Sequence, residues 1–158
     1  MILGKKSRLG RKIEDITVGE KLKLTEKMED KDLLLYLGLT NDGNPLYIQH
    51  DYASQTPYKN PIVPTIMLTG IITSATSKYL PGPGSHVVEQ NLKFPKTIYH
   101  YTMIDFLLEV IEVKNDDNKI VIKVEALNED KEMVISGTVT VVPPIVEERL
   151  TSQAMKNI

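Results

Sequence analysis

The stretch that decides the fold is residues 41–80, NDGNPLYIQHDYASQTPYKNPIVPTIMLTGIITSATSKYL. Its first five residues, NDGNP, are dense in turn formers and predict a loop. Residues 65–79 are long enough for a helix and carry no charge before Lys78, so they predict a helix that is buried on nearly every side. The sequence LPGPG at residues 80–84 ends that helix.

The sequence on both sides of this stretch predicts short elements first and long strands afterwards. Leu22 and Leu24 alternate with lysines and predict a short strand, and Asp30 is the predicted N-cap of a helix over residues 33–37. After residue 86, apolar residues recur at every second position in segments that predict an antiparallel meander. The predicted inward-facing residues of its last three strands are Ile104, Phe106, Leu108, Val110; Ile120, Ile122, Val124, Ala126; and Met133, Ile135, Gly137, Val139, Val141. The prediction is therefore an α+β domain, with an antiparallel sheet wrapped around one long buried helix.

Length and composition limit the possible classes of protein. A chain of 158 residues fits one domain, residues 1–158, with a basic, solvated arm at 1–12 and a tail at 145–158 that the pattern does not classify. It has no cysteine, which excludes disulfides and thiolate chemistry, and with three scattered histidines no metal site is expected. A net charge of -2 gives no reason to expect binding to nucleic acid or to a membrane. No signal peptide or membrane span is recognisable, so a cytoplasmic protein is expected.

Several motifs together resemble one family. The run from Asn41 to Tyr47, NDGNPLY, resembles the hydratase motif of MaoC-like hotdog proteins, which include (R)-specific enoyl-CoA hydratases and hydroxyacyl dehydratases. Further matches follow in order over residues 12–144: Tyr52-Ala53, Tyr58, PIVPT at 61–65, LPGPGS at 80–85 and QNLKF at 90–94. Their common order and spacing identify the family better than any single motif does.

The resemblance implies a hotdog fold, a homodimer or a hetero-oligomer with a catalytic hotdog subunit, and an acyl thioester of coenzyme A or acyl carrier protein as substrate, with no cofactor. In active members an Asp and a His, five positions apart, flank the water that adds to or leaves the double bond. Asp42 matches the aspartate, but Tyr47 stands at the histidine position. The usual His-Gly at the start of the buried helix is Pro64-Thr65 here, and a small polar residue of that helix falls on Gly70. The implied catalytic residues are Asp42 and Tyr47, and the implied substrate-binding residues are Asn44, Pro64, Thr65, Ile66 and Gly70.

The tyrosine at position 47 has a chemical cost. A phenol with a pKa near ~10 is mostly protonated at neutral pH, so it can orient water but is a poor base. Losing one acid–base group typically costs on the order of 10²–10⁴ in rate. The start of the helix should still offer backbone N–H groups to the thioester carbonyl, although the side chain of Thr65 can crowd that approach. A sister branch, the MaoC N-terminal dehydratase domain, also carries tyrosine and proline-rich residues at these places.

Alternatives remain open at this point. Asp42 can be a catalytic carboxylate or only a turn-forming residue. His50 can take over the role of the absent histidine, whereas His86 and His100 have the pattern of structural residues at strand ends. The functional classes are a hydro-lyase, with catalysis impaired by Tyr47, and a non-catalytic acyl-thioester-binding subunit or effector-binding module. A thioesterase is a weaker third class because the fold supports that chemistry too.

Overall fold

The protein folds around one five-stranded antiparallel sheet, described by a computed structural model for residues 9–145. The strands are β1 (Lys21–Lys27), β2 (His86–Lys93), β3 (Met103–Lys114), β4 (Lys119–Leu127) and β5 (Met133–Val142). Their order in the sheet is β1-β3-β4-β5-β2. The predicted meander is therefore right for β3, β4 and β5 but wrong for β2, which pairs with β5 at the far edge instead of with β3.

The described residues before β2 form four α-helices: α1 (Asp30–Thr40), α2 (Pro45–Ile48), α3 (His50–Ser54) and α4 (Thr65–Lys78). The predicted cap of α1 is off by one residue. Glu29 is the N-cap and forms a capping box with Asp32, whose Oδ2 accepts a hydrogen bond from the Glu29 backbone N–H at 2.9 Å. Asp30 is the first helical residue.

The core lies between the inner face of the sheet and one side of α4. Leu68, Ile72, Ala75 and Thr76 are the buried residues of the helix. Alternate residues of β3 and β4 face them, as the two-residue period predicts. The fully buried members of these two strands are Ile104, Phe106, Leu108, Val110, Ile120, Ile122, Val124 and Ala126.

The prediction that α4 is buried on nearly every side is wrong for the single chain. Ile66 is 54% exposed, and Thr65 and Gly70 are also exposed. One sheet curled along a helix covers only the side that faces it, so no described residue outside the helix covers most of the opposite face of α4. The apolar residues on that face would be buried only by contact with a second surface.

The described part of the basic arm is attached to the rest of the fold, while Arg11 and Lys12 are exposed. Gly10 packs on the turn after α4, where its N–H donates to the Pro83 carbonyl at 2.6 Å. Arg11 forms an ion pair with Glu20 at 2.5 Å. The rest of the arm, residues 1–8, and the tail beyond residue 145 lie outside the described residues. Within residues 9–145 no helix is both long and apolar enough to cross a bilayer.

Candidate active site

Asp42 lies in the loop between α1 and α2, and both of its carboxylate oxygens accept hydrogen bonds. Asn41 ends α1 in the left-handed conformation (φ 55°), which turns the chain back along the helix. The Tyr36 hydroxyl donates to Asp42 Oδ2 at 2.6 Å, and the Asn44 backbone N–H donates to Oδ1 at 3.1 Å. The second contact is that of an Asx turn, so Asp42 does form the turn. The first contact fixes the carboxylate from outside the loop.

Tyr36 was absent from the predicted site. The pKa of Tyr36 is raised, chiefly by its hydrogen bond to Asp42 and then by burial. A short contact between a neutral donor and a carboxylate is among the stronger hydrogen bonds in proteins. Sequence offered only a weak signal, a tyrosine one helical turn before the predicted loop.

Asn44 serves the backbone of the loop. Its side-chain oxygen accepts the Leu46 N–H at 3.0 Å and so caps α2, in which Pro45 occupies the first turn. This places Tyr47 in the middle of the one-turn helix, half-buried. The predicted binding role of Asn44 would therefore rest on its amide nitrogen, since its oxygen is engaged.

The start of α4 supplies backbone donors. Buried Pro64 is its N-cap and provides no side-chain hydrogen bond. The first backbone N–H of the helix that bonds to a preceding carbonyl is that of Met67, which donates to the Pro64 carbonyl at 3.0 Å. The N–H groups of Thr65 and Ile66 precede it and have no acceptor within the helix. Both residues are exposed, so the end of this helix is accessible to a ligand.

Gly70 lines a recess between α4, α1 and β1, with a volume of about 380 Å³. We call it the Gly70 recess. No atom outside the helix backbone lies within 4 Å of the place where a Gly70 Cβ would stand, so the glycine leaves free space in the recess. The recess is lined by Leu24, Glu26, Lys27, Met28, Asp32, Leu35, Met67, Gly70, Ile71, Ser74, Ala75, Lys78 and Tyr79.

Tyr47 lines a different and larger cavity of about 660 Å³ on the other side of α1. We call it the Tyr47 cavity. Its wall contains both His50 and His100. The complete lining is Asp30, Leu33, Leu34, Leu37, Tyr47, Ile48, His50, Asn60, Pro61, Tyr99, His100 and Tyr101.

The predicted site residues are thus only partly brought together. Asp42 is held with Asn44 in one loop, and Pro64, Thr65 and Ile66 form the start of α4. Gly70 and Tyr47 line separate cavities, neither of which is lined by Asp42. Within the described residues, no group of three or more His, Asp or Glu side chains is placed to hold a metal ion.

Comparison with known proteins gives a consistent result. The family described as MaoC like domain matches residues 13–133. An (R)-specific enoyl-CoA hydratase of Rhodospirillum rubrum is 37% identical over 81 residues, which are 51% of this chain and 56% of the relative. A 3-hydroxybutyryl-CoA dehydratase of Methylorubrum extorquens is 27% identical over 100 residues, 63% of this chain and 64% of the relative. The matches therefore span less than two thirds of the length of these two relatives.

Among solved structures, the unliganded R-hydratase PhaJ1 from Pseudomonas aeruginosa superposes with a TM-score of 0.79 at 25% identity. The superposition covers 88% of this chain and 89% of that one. The predicted α+β hotdog fold is confirmed.

Proposed function

The chain belongs to the MaoC like domain family, and from that premise we propose that it is a hydro-lyase that adds water to an enoyl thioester or removes it from a 3-hydroxyacyl thioester. The observation that carries this proposal is the Asp42 carboxylate, held by Tyr36 and by the Asn44 N–H in the loop that matches the hydratase motif. A turn needs only the second of these contacts. The hydrogen bond from Tyr36 supports a role in which the orientation of the carboxylate matters.

In the proposed reaction, Asp42 accepts a proton from water while the water oxygen bonds to the β-carbon of the enoyl thioester. Negative charge then develops on the thioester oxygen, where the N–H groups of Thr65 and Ile66 can stabilise it. The α-carbon then takes up the proton that Asp42 accepted, which restores the carboxylate, so the elements of one water molecule are added. The reverse order removes water. This acid–base chemistry needs no cofactor, and the proposed substrate is an acyl thioester of coenzyme A or acyl carrier protein.

Tyr47 limits the expected rate. Its phenol can orient water but replaces a histidine base poorly at neutral pH. We expect turnover lower by on the order of 10²–10⁴ than in a member of the family that has both groups. The Gly70 recess is the proposed place for the acyl chain, because the glycine leaves space beside the apolar side chains of Met67 and Ile71.

The test follows hydration of crotonyl-CoA by the loss of its absorbance. We expect slow turnover that Asp42→Asn abolishes. Asp51→Asn, which alters an exposed carboxylate in α3, should leave the rate unchanged. Tyr47→His should raise the rate, whereas Tyr52→His, at an exposed tyrosine of α3, should not. An equal rate in wild type and Asp42→Asn would refute the assigned base.

A second candidate is a non-catalytic acyl-thioester-binding subunit or effector-binding module. It is favoured by the separation of Tyr47 from the Gly70 recess, since these two predicted site residues line different cavities. Calorimetry with crotonyl-CoA distinguishes the two functions. Saturable binding without turnover, also after Tyr47→His, would support the binding subunit.

A second hotdog subunit is the proposed partner, either another copy of this chain or a catalytic relative. Among residues 9–145, β2 is an edge strand that pairs with β5 alone, and Val88 on it is 45% exposed. Within the part of the chain that the structure describes, the face of α4 that carries Ile66 is also left uncovered. Sedimentation should show a dimer that Val88→Lys weakens. Val18→Lys, at a 59% exposed site outside the strands, should not change it, and a monomer at high concentration would refute the homodimer.

A further inference from the structure

We propose that Asp42-Gly43 is a site of spontaneous covalent modification, at which the Asp42 carboxyl closes onto the Gly43 nitrogen and reopens as isoaspartate, and that the Tyr36 hydroxyl slows this step. Residues 42 and 43 are the only place in the sequence where a glycine follows an aspartate or an asparagine. The modification does not depend on hydratase activity.

The chemistry needs these two residues and water alone. The Gly43 nitrogen attacks Cγ of the protonated Asp42 carboxyl, a C–N bond forms, and the carboxyl hydroxyl leaves as water together with the proton of the N–H. The product is a five-membered succinimide ring. Water then adds to one of its two carbonyls, and opening at the backbone carbonyl leaves the chain running through Cβ and Cγ. The mass of the protein is unchanged.

The Gly43 nitrogen is accessible for this attack. Gly43 is exposed in the loop between α1 and α2. Among residues 9–145, its backbone N–H donates to no acceptor, although the next N–H, that of Asn44, is engaged. Apart from its two chain neighbours, no atom lies within 4 Å of the place where a Gly43 Cβ would stand. Because glycine has no Cβ, nothing shields the nitrogen from the neighbouring carboxyl.

The Asp42 carboxyl is restrained by two contacts. The Tyr36 hydroxyl donates to Oδ2 at 2.6 Å, and the Asn44 N–H donates to Oδ1 at 3.1 Å. Closing a five-membered ring turns the Cα–Cβ torsion of Asp42 away from a staggered value, which moves both oxygens off these donors. Each lost hydrogen bond therefore raises the barrier. The Asn44 contact lies within the loop and can move with it, whereas Tyr36 belongs to α1 and holds the carboxyl from outside the loop.

The modification would displace the carboxylate of the proposed base without removing its charge. In isoaspartate the free carboxylate is attached directly to Cα, and the backbone is one atom longer. The Asx turn with Asn44 and the contact with Tyr36 both need the original side chain, so both are lost. Loss of turnover during ageing would follow and rests on the proposed function, whereas the formation of isoaspartate does not.

The test incubates the purified full-length protein for weeks at physiological temperature. Isoaspartate is measured by labelling with protein isoaspartyl methyltransferase, and it is located by peptide mapping with electron-transfer fragmentation, which distinguishes the two isomers of equal mass. We expect the modification at position 42. Hydroxylamine, which cleaves at the succinimide ring, should release fragments 1–42 and 43–158.

Gly43→Ala tests the attacking nitrogen. The added Cβ stands beside that nitrogen and should lower the rate about tenfold. The Cβ has open space and the φ of Gly43 lies outside the left-handed region, so this variant should fold normally. Gly38→Ala, at a glycine of α1 that also has open space, is the matched control and should leave the rate at position 42 unchanged.

Tyr36→Phe tests the restraint. In the folded protein it should raise the rate about fivefold, because one of the two contacts is gone. Tyr52→Phe, at an exposed tyrosine of α3, should not change it. In urea the wild type should be modified faster than in the fold, and the three proteins should then react equally, which tests the restraint even if Tyr36→Phe folds poorly.

Three results would overturn the proposal. The first is folded wild type without isoaspartate at position 42 after prolonged incubation. The second is Gly43→Ala that accumulates isoaspartate as fast as the wild type. The third is a wild-type rate that is the same in the fold and in urea, or a folded Tyr36→Phe that ages at the wild-type rate.

Discussion

Tyr36→Phe removes the hydroxyl that holds Asp42 and keeps the aromatic ring. Hydrogen bonds to charged groups contribute about 1.5–3 kcal/mol to stability. The contact of 2.6 Å is short, but both residues are only half-buried and solvent screens the carboxylate. We therefore expect the free energy of unfolding to fall by about 1 kcal/mol, which lowers the melting temperature by about 2–4 °C for a chain of this size.

A double-mutant cycle attributes that loss to the pair. Tyr36→Phe, Asp42→Asn and the double variant are compared by urea unfolding. The sum of the losses in unfolding free energy of the two single variants should exceed the loss in the double variant. Tyr52→Phe, at an exposed tyrosine of α3, is the matched control and should leave stability unchanged. Strictly additive losses would show that Tyr36 and Asp42 are not coupled and would refute the reasoning.

The pH dependence follows from the raised pKa of Tyr36. The folded state favours the neutral phenol, so the contribution to stability is complete below the ordinary tyrosine pKa of about 10 and is lost as pH rises through the folded value. The difference in stability between wild type and Tyr36→Phe should stay constant from neutral pH to about 9 and shrink above about 10. In Asp42→Asn, phenolate absorbance should show Tyr36 titrating closer to its ordinary pKa.

Measurements of kcat and KM distinguish a positioning role of Tyr36 from a purely structural one. If Tyr36 positions the base of the proposed hydratase, Tyr36→Phe should lower kcat about tenfold and leave KM nearly unchanged. A rise in KM alone would assign Tyr36 to substrate binding instead.

Three glycine substitutions test the packing. Gly70→Ala and Gly38→Ala each replace a helical glycine with no atom outside the helix backbone within 4 Å of the new Cβ, so each should stabilise the protein by about 0.5–1 kcal/mol in urea unfolding. Only Gly70→Ala should also weaken binding of long-chain acyl-CoA in calorimetry. Equal binding by both variants would exclude the Gly70 recess as the acyl site. Gly137→Ala would place a Cβ 2.0 Å from the Asn91 carbonyl oxygen at a φ of 153°, so it should destabilise by about 3 kcal/mol or more and detach β2 from β5. Normal stability of Gly137→Ala, with retained amide protection in β2, would contradict this close approach.

Local patterns predicted most of the elements. The helix at 65–79 was predicted within one residue of α4, and the inward residues of β3 and β4 are buried as expected. Such patterns are reliable because the side-chain period of a helix or strand is a property of the chain itself. The hydratase motif also identified the family, since its residues keep their order along the sequence.

Pairing between distant segments was not predictable in the same way. β2 crosses to β5, where the absence of a side chain at Gly137 admits the Asn91 carbonyl. Nothing in the alternation of β2 selects β5 over β3, because both partners are apolar on the same period. The choice depends on how the sheet curls along α4.

The sequence by itself determined the family, the α+β class, the loop with Asp42 and the absence of histidine at position 47. Only the tertiary structure decided what surrounds them: Tyr36 on the Asp42 carboxylate, and Gly70 and Tyr47 in separate cavities. The physical reason is that residue type and spacing follow from covalent order. A hydrogen bond or a cavity wall depends instead on which distant surfaces the folded backbone brings within a few ångströms.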